Sequence, residues 1–203
     1  MKFFNKHFYK LVENEGGNTI EIDGVRMHKT KDMTPIQDAA KKVKAVGVKK
    51  GDRVLDICTG LGYSAIASMR KGARVTSIEW DENVLEVAKA NPDSKELFSG
   101  KIKVVVGDAF ELVPGMKPSS FDRVVLDPPT FKFSPLLYSL EFYRNLIKVI
   151  RPGGTLLHYT GEPGSRFRKK SLKKGVMNRL REAGFVKLEW IESIACVRAR
   201  KRA

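Results

Sequence analysis

The sequence has few of the residues that hold small secreted or metal-binding proteins together. Its 203 residues include two cysteines, Cys58 and Cys196, which form neither a disulfide framework nor a metal-ligand spacing. It also lacks an apolar run long enough to cross a bilayer, and a leader with a cleavage site. These absences predict a cytoplasmic protein without a metal site or a membrane span.

Charged residues are plentiful, but they are unevenly distributed along the chain. The formal net charge is +15, and residues 144–203 alone hold 16 basic and 4 acidic side chains. Residues 51–143 hold 11 basic and 13 acidic side chains. A surface that binds a polyanion produces such a gradient, which favours a nucleic-acid partner. The alternative is a solvated lysine-rich surface of the kind common in proteins from hot environments.

Strand and helix patterns alternate from residue 34 onward. Buried strand patterns such as "RVLDIC", "ARVTSIEW" and "FDRVVLD" are separated by helical patterns, and a long helix is expected over "SPLLYSLEFYRNLIKVI" with Ser134 as its cap. This order predicts an α/β domain over residues 34–203, with a parallel sheet covered on both faces. "RPGG" is predicted to be a turn, and "FVKLEW" and "SIACVRAR" a closing antiparallel hairpin.

The first 33 residues are predicted to be an extension of this domain. "NTIEIDGVRMH" alternates around Asp23-Gly24 and predicts a β-hairpin over residues 18–28. Residues 3–12 predict a short helix that buries Phe4, Phe8 and Leu11. The alternative for this segment is an RNA platform made of its basic and aromatic side chains. The next helix is predicted to start at Thr34-Pro35, and its apolar face is expected to be formed by Ile36, Ala39, Ala40, Val43 and Val46.

The first buried strand ends in a glycine-rich loop, "DICTGLGYSA". Gly60, Gly62 and Ala65 fit a dinucleotide-binding pattern between a strand and a helix, where backbone N–H groups can meet a ligand. This loop alone does not separate a nicotinamide cofactor from S-adenosylmethionine, and a tight strand–helix turn is the structural alternative.

Acidic residues also end the next two strands. Glu79 lies 19 residues after Gly60, where an acid accepts hydrogen bonds from ribose hydroxyls, and Trp80 beside it can cover an adenine. Asp108 can accept from the adenine amine, with Ala109 supplying a backbone N–H. Each acid also suits the cap of the helix that follows it.

Five segments in order resemble the successive motifs of class I S-adenosylmethionine-dependent methyltransferases: "VLDICTGLGYSAI", "VTSIEWD", "VVVGDAFEL", "FDRVVLDPP" and "IRPGGTLLHY". The resemblance covers roughly residues 34–200 and is closest to small archaeal methyltransferases with "CTGLGY", "DPP" and "HYTGEPG" segments. It implies a Rossmann-like, seven-stranded, mostly parallel sheet with a reversed C-terminal hairpin, and S-adenosyl-L-methionine as cofactor. It implies that Asp56 lies near the methionine amino group, that Gly60 and Gly62 line the methionine part, and that Glu79 and Asp108 contact the ribose and the adenine. The predicted cofactor residues are completed by Thr59, Trp80, Ala109 and Asp127.

"DPPTF", residues 127–131, resembles the motif of methyltransferases that act on amines and amides. Proline cannot continue a central strand, so the Asp127 carboxylate and the Pro128 carbonyl are presented at the strand end, with Pro129 stiffening the turn. Two acceptors aimed at the hydrogens of a base amine turn its lone pair toward a methyl donor. The motif usually continues with an aromatic residue. Because Thr130 stands there, Phe131 is the expected base contact, with Phe133 as the second candidate; the alternative is that both rings pack into the core.

The segment after the fifth strand is expected to contact RNA. Arg166, Arg168, Lys169 and Lys170 are predicted to bind phosphates, and a solvated helix start is the alternative. His158 is a candidate for the target pocket, with a hydrogen-bonded structural histidine as the alternative.

The leading hypothesis is therefore an RNA methyltransferase that acts on an exocyclic amine, with ribosomal RNA as partner. Cytosine N4 is the first choice, and guanine N2 and adenine N6 stay open. An aminopropyltransferase of the spermidine-synthase type is an alternative, disfavoured because it needs an acidic pocket in a chain of net charge +15. A non-catalytic RNA-binding module is a further alternative. A nicotinamide dehydrogenase is disfavoured, because "DPP" and "GDAF" have no role in such an enzyme.

Overall fold

The computed structural model describes residues 1–30, 32–129, 131, 133–161 and 169–203, and for residues 169–171 it describes the backbone alone. No helix within these ranges is both long and apolar enough to cross a membrane. The strands of this part of the chain form two sheets, a four-stranded N-terminal sheet and a seven-stranded central sheet.

The N-terminal sheet is antiparallel, in the order β1-β2-β3-β4. Its strands are β1 (Lys2–Asn5), β2 (His7–Val12), β3 (Thr19–Ile22) and β4 (Val25–Arg26). The hairpin predicted over residues 18–28 is confirmed, but the helix predicted over residues 3–12 is wrong. Phe3 and Tyr9 point inward while Phe4 and Phe8 are exposed, so the side chains follow the two-residue period of a strand.

The central sheet has the order β10-β11-β9-β8-β5-β6-β7. Its strands are β5 (Arg53–Ile57), β6 (Arg74–Glu79), β7 (Ile102–Val106), β8 (Phe121–Leu126), β9 (Ile150–Tyr159), β10 (Phe185–Ile191) and β11 (Cys196–Lys201). Strands β7, β6, β5, β8 and β9 are parallel. Strand β11 runs antiparallel to β9, and β10 pairs antiparallel with β11 as the outer strand of the C-terminal hairpin. This topology confirms the predicted Rossmann-like fold class with its reversed C-terminal hairpin.

Within the described ranges, six α-helices accompany these strands. They are α1 (Pro35–Val46), α2 (Tyr63–Arg70), α3 (Glu82–Ala90), α4 (Ala109–Leu112), α5 (Leu140–Val149) and α6 (Lys169–Glu182). One buried cluster packs α1, α2 and α3 against the sheet, and a second packs α4, α5 and α6 against the opposite face. The N-terminal sheet joins the first cluster through Tyr9 and Ile20.

Helix α1 is rotated relative to the face that the sequence predicts. A capping box of Thr34 and Gln37 starts it, as expected. Ile36 and Ala40, however, are exposed, and Asp38 and Lys42 take buried positions beside Ala39 and Val43. The prediction was wrong because it counted apolar residues alone, and two charged residues occupy the buried stripe.

The region after β8 also differs from the prediction. The long helix expected from Ser134 is divided: Pro135–Tyr138 forms a 3₁₀ turn, and Ser139 then caps α5 by accepting a hydrogen bond from the Phe142 N–H at 3.1 Å. The segment "RPGG", predicted to be a turn, forms the first half of β9, whose pairing with β8 shifts register there.

Side-chain hydrogen bonds fasten the N-terminal sheet to the central domain. The Tyr9 hydroxyl donates to Asp81 at 2.5 Å, and the Asn18 side chain donates to Asn91 at 3.0 Å. The Tyr63 hydroxyl donates to the Asn18 carbonyl at 2.8 Å. The N-terminal sheet is therefore held over the carboxyl ends of β5 and β6.

Candidate active site

A cavity of about 320 Å³ lies at the carboxyl ends of four parallel strands. Residues that follow β5, β6, β7 and β8 form its floor. The N-terminal sheet and the first turns of α1 form its other walls. This is the edge at which open α/β sheets bind ligands.

The glycine loop after β5 opens into this cavity. Gly60 lines it with φ 56°, and its amide faces Glu79. Thr59 also lines the cavity, and its hydroxyl is hydrogen-bonded to Ser77 at 2.6 Å. Gly62 does not lie in the cavity wall formed by the described residues. It has φ 80°, and a Cβ there would lie 2.7 Å from the Leu97 side chain, so Gly62 permits close packing. Its predicted contact with the cofactor stays a prediction.

The preceding aspartate lies behind the loop rather than in the cavity wall. The Asp56 carboxylate is 1% exposed and accepts hydrogen bonds from Ser64 at 2.5 Å and from Ser77 at 2.6 Å. Burial raises the pKa of the Asp56 carboxyl to about 6, although both hydrogen bonds hold it down. Asp56 thus fixes the loop, and its predicted contact with the methionine amino group stays a prediction.

The end of β6 places a buried carboxylate beside the glycine loop. Glu79 accepts from the Gly60 N–H at 2.9 Å and from the Asp81 N–H at 3.1 Å. Burial raises the pKa of Glu79 to about 7, against the effect of these backbone hydrogen bonds. Trp80, which is 70% exposed, also lines the cavity, so both residues lie where the sequence predicts ribose and adenine contacts.

Asp108 and Ala109 line the cavity at the end of β7. The Asp108 side chain caps α4 by accepting from the Phe110 N–H at 2.8 Å. The capping role and a role toward a ligand are compatible, because a carboxylate has a second oxygen and further lone pairs.

The "DPPTF" aspartate lies in the cavity wall next to a lysine that the sequence analysis missed. The Asp127 N–H extends the sheet by donating to the Ile57 carbonyl at 3.1 Å. One oxygen of the Asp127 carboxylate accepts from the Lys42 ammonium at 2.6 Å, and Asp38 lies 2.8 Å from the same ammonium. Lys42 also lies 4.5 Å from the centroid of the Tyr159 ring. We call these four side chains the Lys42 cluster.

The Lys42 cluster keeps its ammonium charged in a nearly closed site. The side chain of Lys42 is 7% exposed. Burial by itself would lower the pKa of Lys42, but Asp127 and then Asp38 outweigh it, and the pKa lies above its ordinary value. A sequence signal existed, because Asp38 and Lys42 stand one helical turn apart on the buried stripe of α1.

The cavity is acidic although the chain is basic. Among the described residues, the charged side chains that line it are five carboxylates and two ammonium groups, which belong to Asp38, Glu79, Asp81, Asp108, Asp127, Lys29 and Lys42. A net charge of +15 thus did not exclude an acidic wall in this part of the cavity. No group of three or more histidine, cysteine or acidic residues suited to a metal ion occurs in the described ranges.

The cavity residues that were not predicted include His28 and Cys58. Burial and then Lys42 lower the pKa of His28 to about 4, so its ring is neutral, and Thr19 lies 3.0 Å from its Nδ1. Cys58 has a left-handed φ of 69°, uncommon for a residue with a side chain. Burial and the neighbouring Glu79 raise the pKa of the Cys58 thiol, which keeps it protonated.

The structure places some residues of the segment after β8 in the cavity wall and others outside it. Pro129 and Phe133 line the cavity, whereas Pro128 is buried, and Phe131 is 42% exposed and lies edge-on to Tyr138 at 5.4 Å between centroids. Base contact by Phe131 stays a prediction.

His158 belongs to the core, which corrects its assignment as a substrate contact. It is fully buried, and its Nε2 is hydrogen-bonded to the Tyr143 hydroxyl at 2.9 Å. Burial lowers the pKa of His158 to about 3. Arg166 and Arg168 lie outside the described residues, and Lys169 and Lys170 begin α6 with side chains outside the description.

Comparison with known proteins identifies the central part of the chain. Residues 54–154 match the model of a family described as a methyltransferase domain. A domain of this kind uses S-adenosylmethionine, which confirms the predicted cofactor.

Two curated relatives extend this match. An uncharacterized protein of Methanocaldococcus jannaschii is 51% identical over 93% of this chain. Ribosomal RNA large subunit methyltransferase I of Yersinia pseudotuberculosis is 28% identical over 74% of this chain. The chain spans 65% and 40%, respectively, of the lengths of these two proteins.

Solved structures share the fold. Spermidine synthase from Thermotoga maritima matches 99% of this chain and 72% of its own, with a TM-score of 0.78 and 18% identity. Phosphoethanolamine N-methyltransferase 2 of Haemonchus contortus, in complex with S-adenosyl-L-methionine, matches 74% of this chain and 37% of its own, with a TM-score of 0.55 and 23% identity. At these identities the likeness concerns the fold alone.

Proposed function

We propose that the chain is a class I S-adenosylmethionine-dependent methyltransferase and that it methylates an exocyclic amine of an RNA base. The observation that carries this proposal is the Asp127 carboxylate in the cavity wall, at a strand end that two prolines terminate. Ribosomal RNA is the proposed substrate, with cytosine N4 as the first target to test.

The cavity suits the cofactor. When bound, S-adenosylmethionine supplies an electrophilic methyl group on a positively charged sulfur. The carboxylates of Glu79 and Asp108 at neighbouring strand ends can accept from hydroxyl and amino groups, and the excess of acidic side chains suits a cationic sulfonium. A Cβ at Gly60 would have one neighbour within 4 Å, the His28 ring at 3.8 Å, so the backbone there is open to a ligand.

Asp127 is the proposed acceptor for the target amine. Lys42 holds one of its oxygens, and this ion pair fixes the carboxylate in place. The other oxygen is then available to accept a hydrogen bond from the amine, which localises the nitrogen lone pair. Such preorganised acceptors contribute by orientation and electrostatics. After transfer, the nitrogen releases its extra proton to water.

Two observations support RNA as the substrate class. The last sixty residues carry 16 basic and 4 acidic side chains, the balance expected of a surface that contacts phosphates. The Yersinia relative is named as a ribosomal RNA methyltransferase.

The test is methyl transfer from S-adenosylmethionine labelled on its methyl group to total RNA, followed by digestion to nucleosides. The proposal predicts label on a base amine, at least a hundredfold less with Asp127→Asn, and unchanged labelling with the exposed control Asp93→Asn. Label found only on carbon, ribose or protein would contradict the amine assignment.

Aminopropyl transfer is a second candidate because two observations favour it. The likeness to spermidine synthase extends over the N-terminal sheet as well as the central sheet, and the cavity is acidic, as a polyamine site requires. Thermal shift with S-adenosylmethionine and with its decarboxylated form separates the two candidates, because a ligand of the native state raises Tm. Stabilisation by the decarboxylated form alone would replace the methyl-transfer proposal.

A further inference from the structure

Two phenylalanines stand opposite each other on the outer face of the N-terminal sheet. Phe4 of β1 pairs in register with Phe8 of β2, and their side chains are 73% and 40% exposed. Directly opposed residues of an antiparallel pair have Cβ atoms about 4.5–5.5 Å apart. On the inner face of the same hairpin, Phe3 and Tyr9 stack with ring centroids 5.2 Å apart. The core therefore uses the inner aromatic pair and leaves the outer pair in solvent.

Lysines surround the outer pair. Lys2 and Lys10 are the next directly opposed residues on the same face, and both are exposed. Lys6 lies in the turn between the strands and is also exposed. Residues 1–12 contain these three lysines and no aspartate or glutamate. On the next strand Glu21 opposes Lys10, but it lies 3.8 Å from Arg26, so basic side chains outnumber this acid on the face. A face that combines exposed rings with positive charge complements a ligand that combines flat rings with negative charge.

We propose that this outer face, formed by Lys2, Phe4, Phe8 and Lys10, binds a single-stranded segment of RNA. Bases stack on Phe4 and Phe8, and the lysines contact the flanking phosphates. Four-stranded antiparallel sheets with exposed aromatic side chains bind unpaired bases in this way, since every base offers a π-face. The inference rests on the proposed function, because it assigns the RNA substrate a second contact outside the cavity.

The location of the face links it to the cavity. His7 follows the turn and lines the cavity, where its ring lies edge-on to Phe133 at 6.5 Å between centroids. Phe8 is the next residue and points to the outside of the sheet. A strand of RNA on the outer face thus passes the hairpin turn next to the cavity, where the target nucleotide must be unstacked from its neighbours.

The test measures binding of a fluorescein-labelled RNA of twelve cytidines by fluorescence anisotropy. Removal of one stacking ring costs about tenfold in affinity, so Phe4→Ala/Phe8→Ala is expected to bind about a hundredfold more weakly than the wild type. Phe98→Ala is the matched control, because Phe98 is also 40% exposed but lies outside this face, and its affinity is expected to stay within twofold of wild type. Both phenylalanines are exposed, and circular dichroism verifies that the double variant stays folded.

A second pair of variants tests the phosphate contacts. For single-stranded nucleic acids, each neutralised phosphate contributes about −0.7 to the slope of log affinity against log salt. Lys2→Gln/Lys10→Gln is therefore expected to reduce that slope by about 1.4. Lys71→Gln/Lys101→Gln, at exposed positions elsewhere on the surface, is expected to leave it unchanged.

Several results would overturn the inference. One is that Phe4→Ala/Phe8→Ala binds the RNA with the affinity of the wild type. Another is that sedimentation velocity shows a dimer for the wild type and a monomer for this variant, because the face would then be an interface between two copies. If the variant methylates RNA with the KM of the wild type, the outer face does not bind the RNA substrate, while the proposed function stands. If the wild type neither binds nor methylates RNA, both fail together.

Discussion

Replacing Lys42 by methionine removes the ammonium group that Asp38 and Asp127 share. The carboxylates of Asp38 and Asp127 then lie close to each other and to the enclosed carboxylate of Asp56, and the site no longer holds that positive charge. Removing one partner of a buried ion pair costs about 3–5 kcal/mol, because the remaining charge is desolvated and uncompensated. Asp127 is 26% exposed, so water screens part of this charge and the lower end applies. We expect Lys42→Met to lose about 3 kcal/mol of unfolding free energy at pH 7.5.

Urea denaturation followed by circular dichroism measures this difference. Lys41→Met is the matched control, because Lys41 is exposed on the same helix; it should stay within about 0.5 kcal/mol of wild type. The double variant Asp38→Asn/Lys42→Met should recover part of the lost unfolding free energy, since it also removes one of the carboxylates left without a counter-ion. A Lys42→Met protein whose unfolding free energy lies within about 1 kcal/mol of the wild-type value would refute the assignment of a buried charge cluster.

Two further predictions concern the cofactor site and its loop. Glu79→Gln should weaken S-adenosylmethionine binding about tenfold by calorimetry, whereas Glu82→Gln, at an exposed position, should not. Wild-type affinity should fall as pH drops through about 7, because the Glu79 carboxylate becomes protonated, and Glu79→Gln should lack this dependence. Gly62→Ala should lower Tm by more than Gly100→Ala. Both glycines have φ 80°, but of the two only Gly62 would place a Cβ less than 3 Å from a neighbour, the Leu97 side chain. Equal Tm values for the two variants would contradict close packing at Gly62.

Local motifs predicted most of the cavity floor. Gly60, Glu79, Asp108 and Asp127 each end a strand, and the carboxyl ends of parallel strands must meet at one edge of the sheet. The order of strands and helices was likewise readable, because a parallel sheet imposes crossovers that appear as alternating patterns. Such patterns within a short stretch of sequence predict where a residue lies along a strand or a helix.

The Lys42–Asp127 contact was not predictable in the same way. The two residues are separated by 85 positions, and their pairing depends on how α1 packs across the sheet. The rotation of α1 follows from charged residues on its buried stripe, which an apolar count overlooks. For the first twelve residues, a three- to four-residue apolar spacing and a two-residue alternation are both present, and pairing of the strands within a sheet decides between them.

The most direct test of the central claim is the nucleoside composition of RNA from cells that lack the gene. The account predicts that one amine-methylated nucleoside disappears by mass spectrometry, returns when the wild-type gene is restored, and stays absent with Asp127→Asn. Loss of a carbon- or ribose-methylated nucleoside, or restoration by Asp127→Asn, would contradict it.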